Sequence, residues 1–146
     1  MTLRHDWSPA EVTQLFEQPF QRLLHQAQGV HFAHFNPDEI QISALMSIKT
    51  GRCPEDCHYC PQSAHHDTEL ASAPLASLEA VLAQAKAAQQ AGATRFCMGA
   101  AWRSPKDQDL PQIRQMIASV KALGMETCMT LGMLKPSQAQ ALAEAG

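Results

Sequence analysis

Three times in succession this sequence passes from a short run of alternating apolar residues to a longer stretch of helical periodicity. Ile40 to Ile48 alternates, with Ile40, Ile42, Ala44, Met46 and Ile48 on one side and Gln41, Ser43, Leu45 and Ser47 on the other, which predicts a strand. A helix follows from Ser77 to Gln90, with Leu78, Val81, Leu82 and Ala85 at a 3.6-residue period, Ser77 as N-cap and Gly92 just past the end. The pattern recurs as strand Thr94 to Gly99 with helix about Asp109 to Leu123, and as strand Met125 to Leu131 with helix Pro136 to Ala145. Consecutive strands joined through helices pair in parallel. The predicted class is therefore α/β, a partial (β/α) TIM-type barrel of about three βα units.

Two helices are expected ahead of the first strand. Ser8-Pro9-Ala10-Glu11 is a capping box with proline at the first helical position, Pro19 ends that helix, and a second runs from Pro19 to about His34. Asn36-Pro37-Asp38 then signals a turn. The expected organisation is an N-terminal helical segment, residues 1–36, and the first part of a (β/α) barrel, residues 37–146.

Helices must cover the apolar strand faces, so the remaining faces turn toward a lumen. Period-two alternation gives that second face Ser43 and Ser47, then Arg95, Cys97 and Gly99, then Glu126, Cys128 and Thr130. An ordinary barrel fills this space with Val, Ile and Leu. A buried arginine or glutamate is costly unless paired, so Arg95 and Glu126 are expected to pair with each other or with a ligand. Cys97 and Cys128 share this face on consecutive strands about 4.8 Å apart. Their spacing suits a shared metal centre, and it also suits two buried thiols acting as small apolar side chains.

The other three cysteines crowd into GRCPEDCHYCPQS, residues 51 to 63, as Cys53-x-x-x-Cys57-x-x-Cys60 directly after the first strand. Active-site loops of such folds gather at this C-terminal mouth. Three thiolates can hold an iron-sulfur cubane whose fourth iron stays open. They can also complete a Cys₃His zinc site with His58, His65 or His66. A redox relay is less suited, because only Cys57-His58-Tyr59-Cys60 has the Cys-x-x-Cys spacing. Five cysteines are an odd number, and the N-terminus MTLRHDWSPAEV has no apolar run of signal-peptide length, so a disulfide framework is a poor reading.

The bulk composition narrows the partners. The chain has 146 residues, 45% apolar and 17% charged, which is a globular balance. A net charge of -3 with 11 scattered basic residues argues against nucleic acid or an anionic membrane surface. A cytoplasmic location is expected by default.

With the aromatic Tyr59 before its last cysteine, the loop resembles the signature of the radical S-adenosylmethionine (SAM) enzymes. The blocks Ser47-Ile48-Lys49-Thr50-Gly51, Cys53-Pro54-Glu55-Asp56-Cys57, Tyr59-Cys60-Pro61-Gln62-Ser63, Thr94 to Trp102 and Cys128-Met129-Thr130-Leu131-Gly132 together resemble the biotin synthase family. That resemblance implies a 4Fe-4S cluster on Cys53, Cys57 and Cys60, with SAM on its open iron. It implies Tyr59 against the adenine, and Gly99, Ala100 and Ala101 near the methionine moiety. Cys97 and Cys128 match two ligands of the family's 2Fe-2S cluster. The implied reaction converts dethiobiotin to biotin: SAM cleavage gives a 5'-deoxyadenosyl radical that removes hydrogen, and the second cluster supplies sulfur. An electron donor such as flavodoxin, iron-sulfur assembly proteins and a homodimeric full-length enzyme are implied as partners.

A closed (β/α)₈ barrel takes roughly 250 residues, and this sequence stops at Ala145-Gly146, where a helix would hand over to a fourth strand. The expectation is therefore part of a longer enzyme. The alternative is a catalytically inactive fragment that only binds a cluster or zinc through Cys53, Cys57 and Cys60.

Overall fold

The computed structural model describes residues 4–146 and divides the chain into two compact units, Met1–Ile40 and Gln41–Gly146. In the first, α1 (Pro9–Phe16) and α2 (Phe20–His34) follow the sequence signals closely. Ser8 caps α1: its Oγ accepts from the Glu11 N–H, and Glu11 Oε2 accepts from the Ser8 N–H at 2.9 Å. Glu11 also takes a hydrogen bond from Arg4 at 3.0 Å. Pro19 then stands at the N-cap of α2. No side chain of either helix is buried, and Phe16, Phe20, Phe32 and Phe35 are exposed.

The second unit contains β1 (Ser43–Lys49), α3 (Leu78–Gln90), β2 (Arg95–Ala100), α4 (Leu110–Lys121), β3 (Glu126–Thr130) and α5 (Pro136–Ala145). The strands form one parallel sheet in the order β1-β2-β3. A single 3₁₀ turn, Asp107–Asp109, leads into α4. The first strand differs from its expected span. It begins at Ser43 rather than Ile40, because β2 offers no ladder beyond Arg95: the Thr94 and Arg95 N–H groups both close on the Ile42 carbonyl. At the other end the ladder becomes irregular between Ser47 and Lys49, so that Lys49 rather than Ile48 pairs with Ala100.

All three helices cover one sheet face. Ile48, Phe96, Met98, Met125 and Leu131 from the strand side meet Val81 and Ala85 of α3, Ile113, Met116, Ile117 and Val120 of α4, and Leu142 of α5 in one buried cluster. At about 1.5–3 kcal/mol per fully buried large apolar side chain, this layer is the main stabilising contact of the unit. α4 packs between α3 and α5. Gln138, at the start of α5, is buried yet satisfied: its Nε2 donates to Asp107 Oδ1 at 2.7 Å and its Oε1 accepts from the Lys135 N–H.

Tight backbone packing fixes the C-terminal ends of β2 and β3. Gly132 has φ +71°, and a Cβ there would collide with the Arg103 carbonyl. Trp102 Nε1 donates to the Leu131 carbonyl at 2.9 Å, and the Met133 N–H to that of Arg103 at 2.8 Å. Gly132→Ala is therefore expected to destabilise the protein by at least about 2 kcal/mol, through strain and collision together. Urea unfolding measures it.

The cap gives a pH signature. The Ser8 backbone, the Ser8 hydroxyl and Arg4 lower the Glu11 carboxyl from 4.5 to about 2. A depressed folded-state value means a stabilising contribution fully present above the unfolded value and lost as pH falls toward 2. Carboxyl NMR titration is expected to place Glu11 near 2, and to move it toward the ordinary range in Ser8→Ala.

Candidate functional site

The sheet face away from the helices carries the groups that alternation assigned to it. In register across β1, β2 and β3 stand Ser43, Arg95 and Glu126, then Leu45, Cys97 and Cys128, then Ser47, Gly99 and Thr130. One face therefore holds a charged rung, a thiol rung and a small-residue rung, from the N-terminal to the C-terminal end of the strands.

Arg95 and Glu126 form an ion pair across neighbouring strands, and Gln41 Nε2 donates to the second Glu126 oxygen. The guanidinium lowers the Glu126 pKa, and Glu126 raises that of Arg95. The Arg95 Nε, buried, has no hydrogen-bond partner among the described residues. A step further along, Cys97 and Cys128 are direct register partners with free thiols. Burial pushes the Cys97 thiol above its usual range and contact with the Cys128 thiol adds to the shift, while Arg95 opposes it.

At the C-terminal end of the sheet lies a cavity of about 230 Å³, lined by Leu45, Met46, Ser47, Cys53, Cys60, Gln62, Gly99, Ala100, Ala101 and Thr130. Gly99 opens into it with nothing within 4 Å of where a Cβ would stand. The cysteine loop is folded back by its own backbone: the Cys53 N–H reaches the Gln62 carbonyl at 2.8 Å, Ala64 N–H reaches the Cys53 carbonyl at 2.7 Å, and Cys60 N–H reaches that of Cys57 at 2.9 Å. Glu55, inside the loop, pairs with Arg103 beyond β2 at 3.0 Å.

The cavity thus brings together Cys53, Cys60, Gly99, Ala100 and Ala101. Cys57 is exposed and Tyr59 is 93% exposed, and neither lines the cavity. Among the described residues no three His, Cys, Asp or Glu side chains stand in metal-holding proximity. The histidines considered as zinc ligands are occupied otherwise: His65 Nε2 bonds the Pro54 carbonyl at 3.0 Å and His66 Nε2 the Cys57 carbonyl at 3.1 Å, while His58 tilts against the His66 ring. Three free thiols in one loop and an open small-residue wall suit a sulfur-ligated group with a ligand beside it. Sequence reasoning missed Gln62, which bonds Gly51 and Cys53 across the cysteine loop, and Lys49, which bonds Gly51 and the distant Ala101. Only their place within the matched blocks signalled them.

Residues 47–146 match the family model described as the radical SAM superfamily, and the chain belongs to that superfamily. The chain is 62% identical over 145 residues to a protein named biotin synthase from Alkalilimnicola ehrlichii, covering 99% of this chain and 44% of that protein. It is 63% identical over 144 residues to a biotin synthase from Cellvibrio japonicus, covering 99% of this chain and 40% of the relative. A biotin synthase from Alteromonas mediterranea is 60% identical across the whole chain and 39% covered. The chain spans about two-fifths of the length of these relatives. Among the described residues, no helix is long and apolar enough to cross a membrane.

Exposure and proton affinity set an order of thiol reactivity. Iodoacetamide at neutral pH is expected to modify exposed Cys57 first and Cys97 last, with Cys97 labelling rising only at higher pH because the thiolate is the nucleophile. Peptide mass spectrometry over a pH series checks this.

Proposed function

We propose that this chain carries the radical-generating site and part of the sulfur-donor site of a biotin synthase-type enzyme acting on dethiobiotin. The observation that carries the reading is the cavity at the strand ends, where two thiols of the cysteine loop meet the Gly99 to Ala101 wall directly beyond the Cys97 and Cys128 pair.

Cys53, Cys57 and Cys60 would hold a 4Fe-4S cluster, and Cys97 and Cys128 would contribute two ligands to a 2Fe-2S cluster. The chemistry supplied there, once these groups are bound, is one-electron cleavage of SAM and sulfur transfer to dethiobiotin. Gly99, Ala100 and Ala101 keep the wall free of bulky side chains, so that a ligand's amino acid moiety can approach the backbone. Tyr59 would turn from solvent onto the adenine. Arg95, held by Glu126, sets a guanidinium one rung from the Cys97 and Cys128 thiols, where its pull on a thiolate is opposed by burial and by Glu126.

The organisation that goes with this reading is a helical segment, residues 1–36, ahead of the first part of a (β/α) barrel, residues 37–146. A flavodoxin-like electron donor, iron-sulfur assembly proteins, a homodimer and a cytoplasmic setting belong to the same proposal.

Anaerobic reconstitution with ferrous iron and sulfide, followed by reduction and SAM, tests it. Brown protein is expected, with about four irons on the loop cysteines, and it releases 5'-deoxyadenosine. Cys57→Ala is expected to lose that iron and the product together. Colourless protein with one tight zinc would replace the cluster reading, and iron-loaded protein that leaves SAM intact would sink the proposed activity for this chain.

A further inference from the structure

Lys49 ends β1 just past the irregular step that removes Ile48 from the ladder. Its part-buried ammonium donates to two backbone carbonyls in different segments, Ala101 at 2.6 Å and Gly51. The Lys49 carbonyl in turn accepts from the Ala101 N–H at 2.8 Å. One lysine therefore grips Ala101, on the cavity wall, through both main chain and side chain.

Gly51 continues the connection. Its N–H donates to Gln62 Oε1 at 2.7 Å, and the Gln62 carbonyl accepts from the Cys53 N–H at 2.8 Å. An unbroken run of hydrogen bonds leads from Ala101 through Lys49, Gly51 and Gln62 to Cys53. It spans the opening between the end of β2 and both sides of the cysteine loop.

The local backbone shows why such a grip is needed. Gly51 has φ +70° and Arg52 φ +51°, two successive left-handed residues that swing the chain out of β1 into the loop. Such a conformation at a non-glycine residue persists only where surrounding contacts over-determine it. A lysine ammonium has three donors and no acceptor, so it can hold two carbonyls at once, which a neutral apolar side chain of equal length cannot. Burying that charge is tolerable because both carbonyls solvate it.

We propose that Lys49 is a positioning residue: it sets the separation between the Cys53 loop and the Gly99 to Ala101 wall, and thereby the fit of SAM between them. The second half of this statement rests on the SAM reading of the cavity given above.

The test compares Lys49→Met and Lys49→Arg with the parent protein. In metal-free protein, amide exchange at Gly51 and Cys53 is expected to quicken about tenfold in Lys49→Met, as befits one lost charge-assisted contact. Exchange at Met98 and Met129, in the middle of the sheet, is expected to stay as in the parent. In iron-loaded protein, equilibrium dialysis is expected to show SAM held about tenfold more weakly by Lys49→Met, with much of the loss recovered by Lys49→Arg. Unchanged exchange at Gly51 and Cys53 would overturn the proposal, as would protection lost equally at Met98 and Met129. Faster loop exchange together with an iron-loaded parent that takes up no SAM would retain the loop role and overturn the ligand reading.

Discussion

Burial of a single face of the parallel sheet governs the arrangement of this protein. α3, α4 and α5 all settle on the side of Phe96, Met98 and Ile48, because those residues alternate with smaller and more polar ones along each strand. Hydrophobic burial is non-directional, but alternation with period two gives it a direction. Once the apolar set is covered, Arg95, Cys97, Gly99, Glu126, Cys128 and Thr130 have only the opposite face. The parallel register then fixes which of them meet.

Those meetings give the site its chemistry. Glu126 pairs with Arg95 one rung before the thiols, and the two charges act on Cys97 in opposite directions, Arg95 easing loss of its proton and Glu126 resisting it. Burial holds the Cys97 proton more tightly than usual, which lowers the reactivity of this thiol, since the thiolate is the nucleophile. Further along the strands the side chains shrink to Gly99, Ala100 and Ala101, and the space they leave is bounded by the cysteine loop.

Much of this was legible in the sequence, for identifiable reasons. The strand and helix runs, the capping box at Ser8 and Glu11 and the facing of Cys97 with Cys128 all follow from short-range periodicity, and local signals survive folding when the core agrees with them. Alternation extends the first strand back to Ile40, but the ladder with β2 begins at Ser43, and Ile42 only closes its end through the Thr94 and Arg95 N–H groups. The directions of the loop side chains were not legible. Their aim depends on bonds between residues far apart in sequence, such as Lys49 with Ala101, Glu55 with Arg103 and Trp102 with Leu131. The three loop cysteines announce thiolate chemistry by spacing alone. That Cys53 and Cys60 turn to the cavity while Cys57 stays in solvent is a property of the folded loop.

The order of the three rungs has a consequence for anything that enters. Successive residues on one strand face stand about 6.6 Å apart, so the open floor at Gly99, the thiols at Cys97 and Cys128 and the ion pair at Arg95 and Glu126 occupy separate levels along the strands. The cavity reaches the small-residue level, with Gly99 and Thr130 in its lining, and stops short of both thiols and of the ion pair, whose Glu126 side chain is half exposed. Sulfur from the loop and sulfur from the sheet are thereby kept at different levels, the first at the cavity and the second one rung behind its floor.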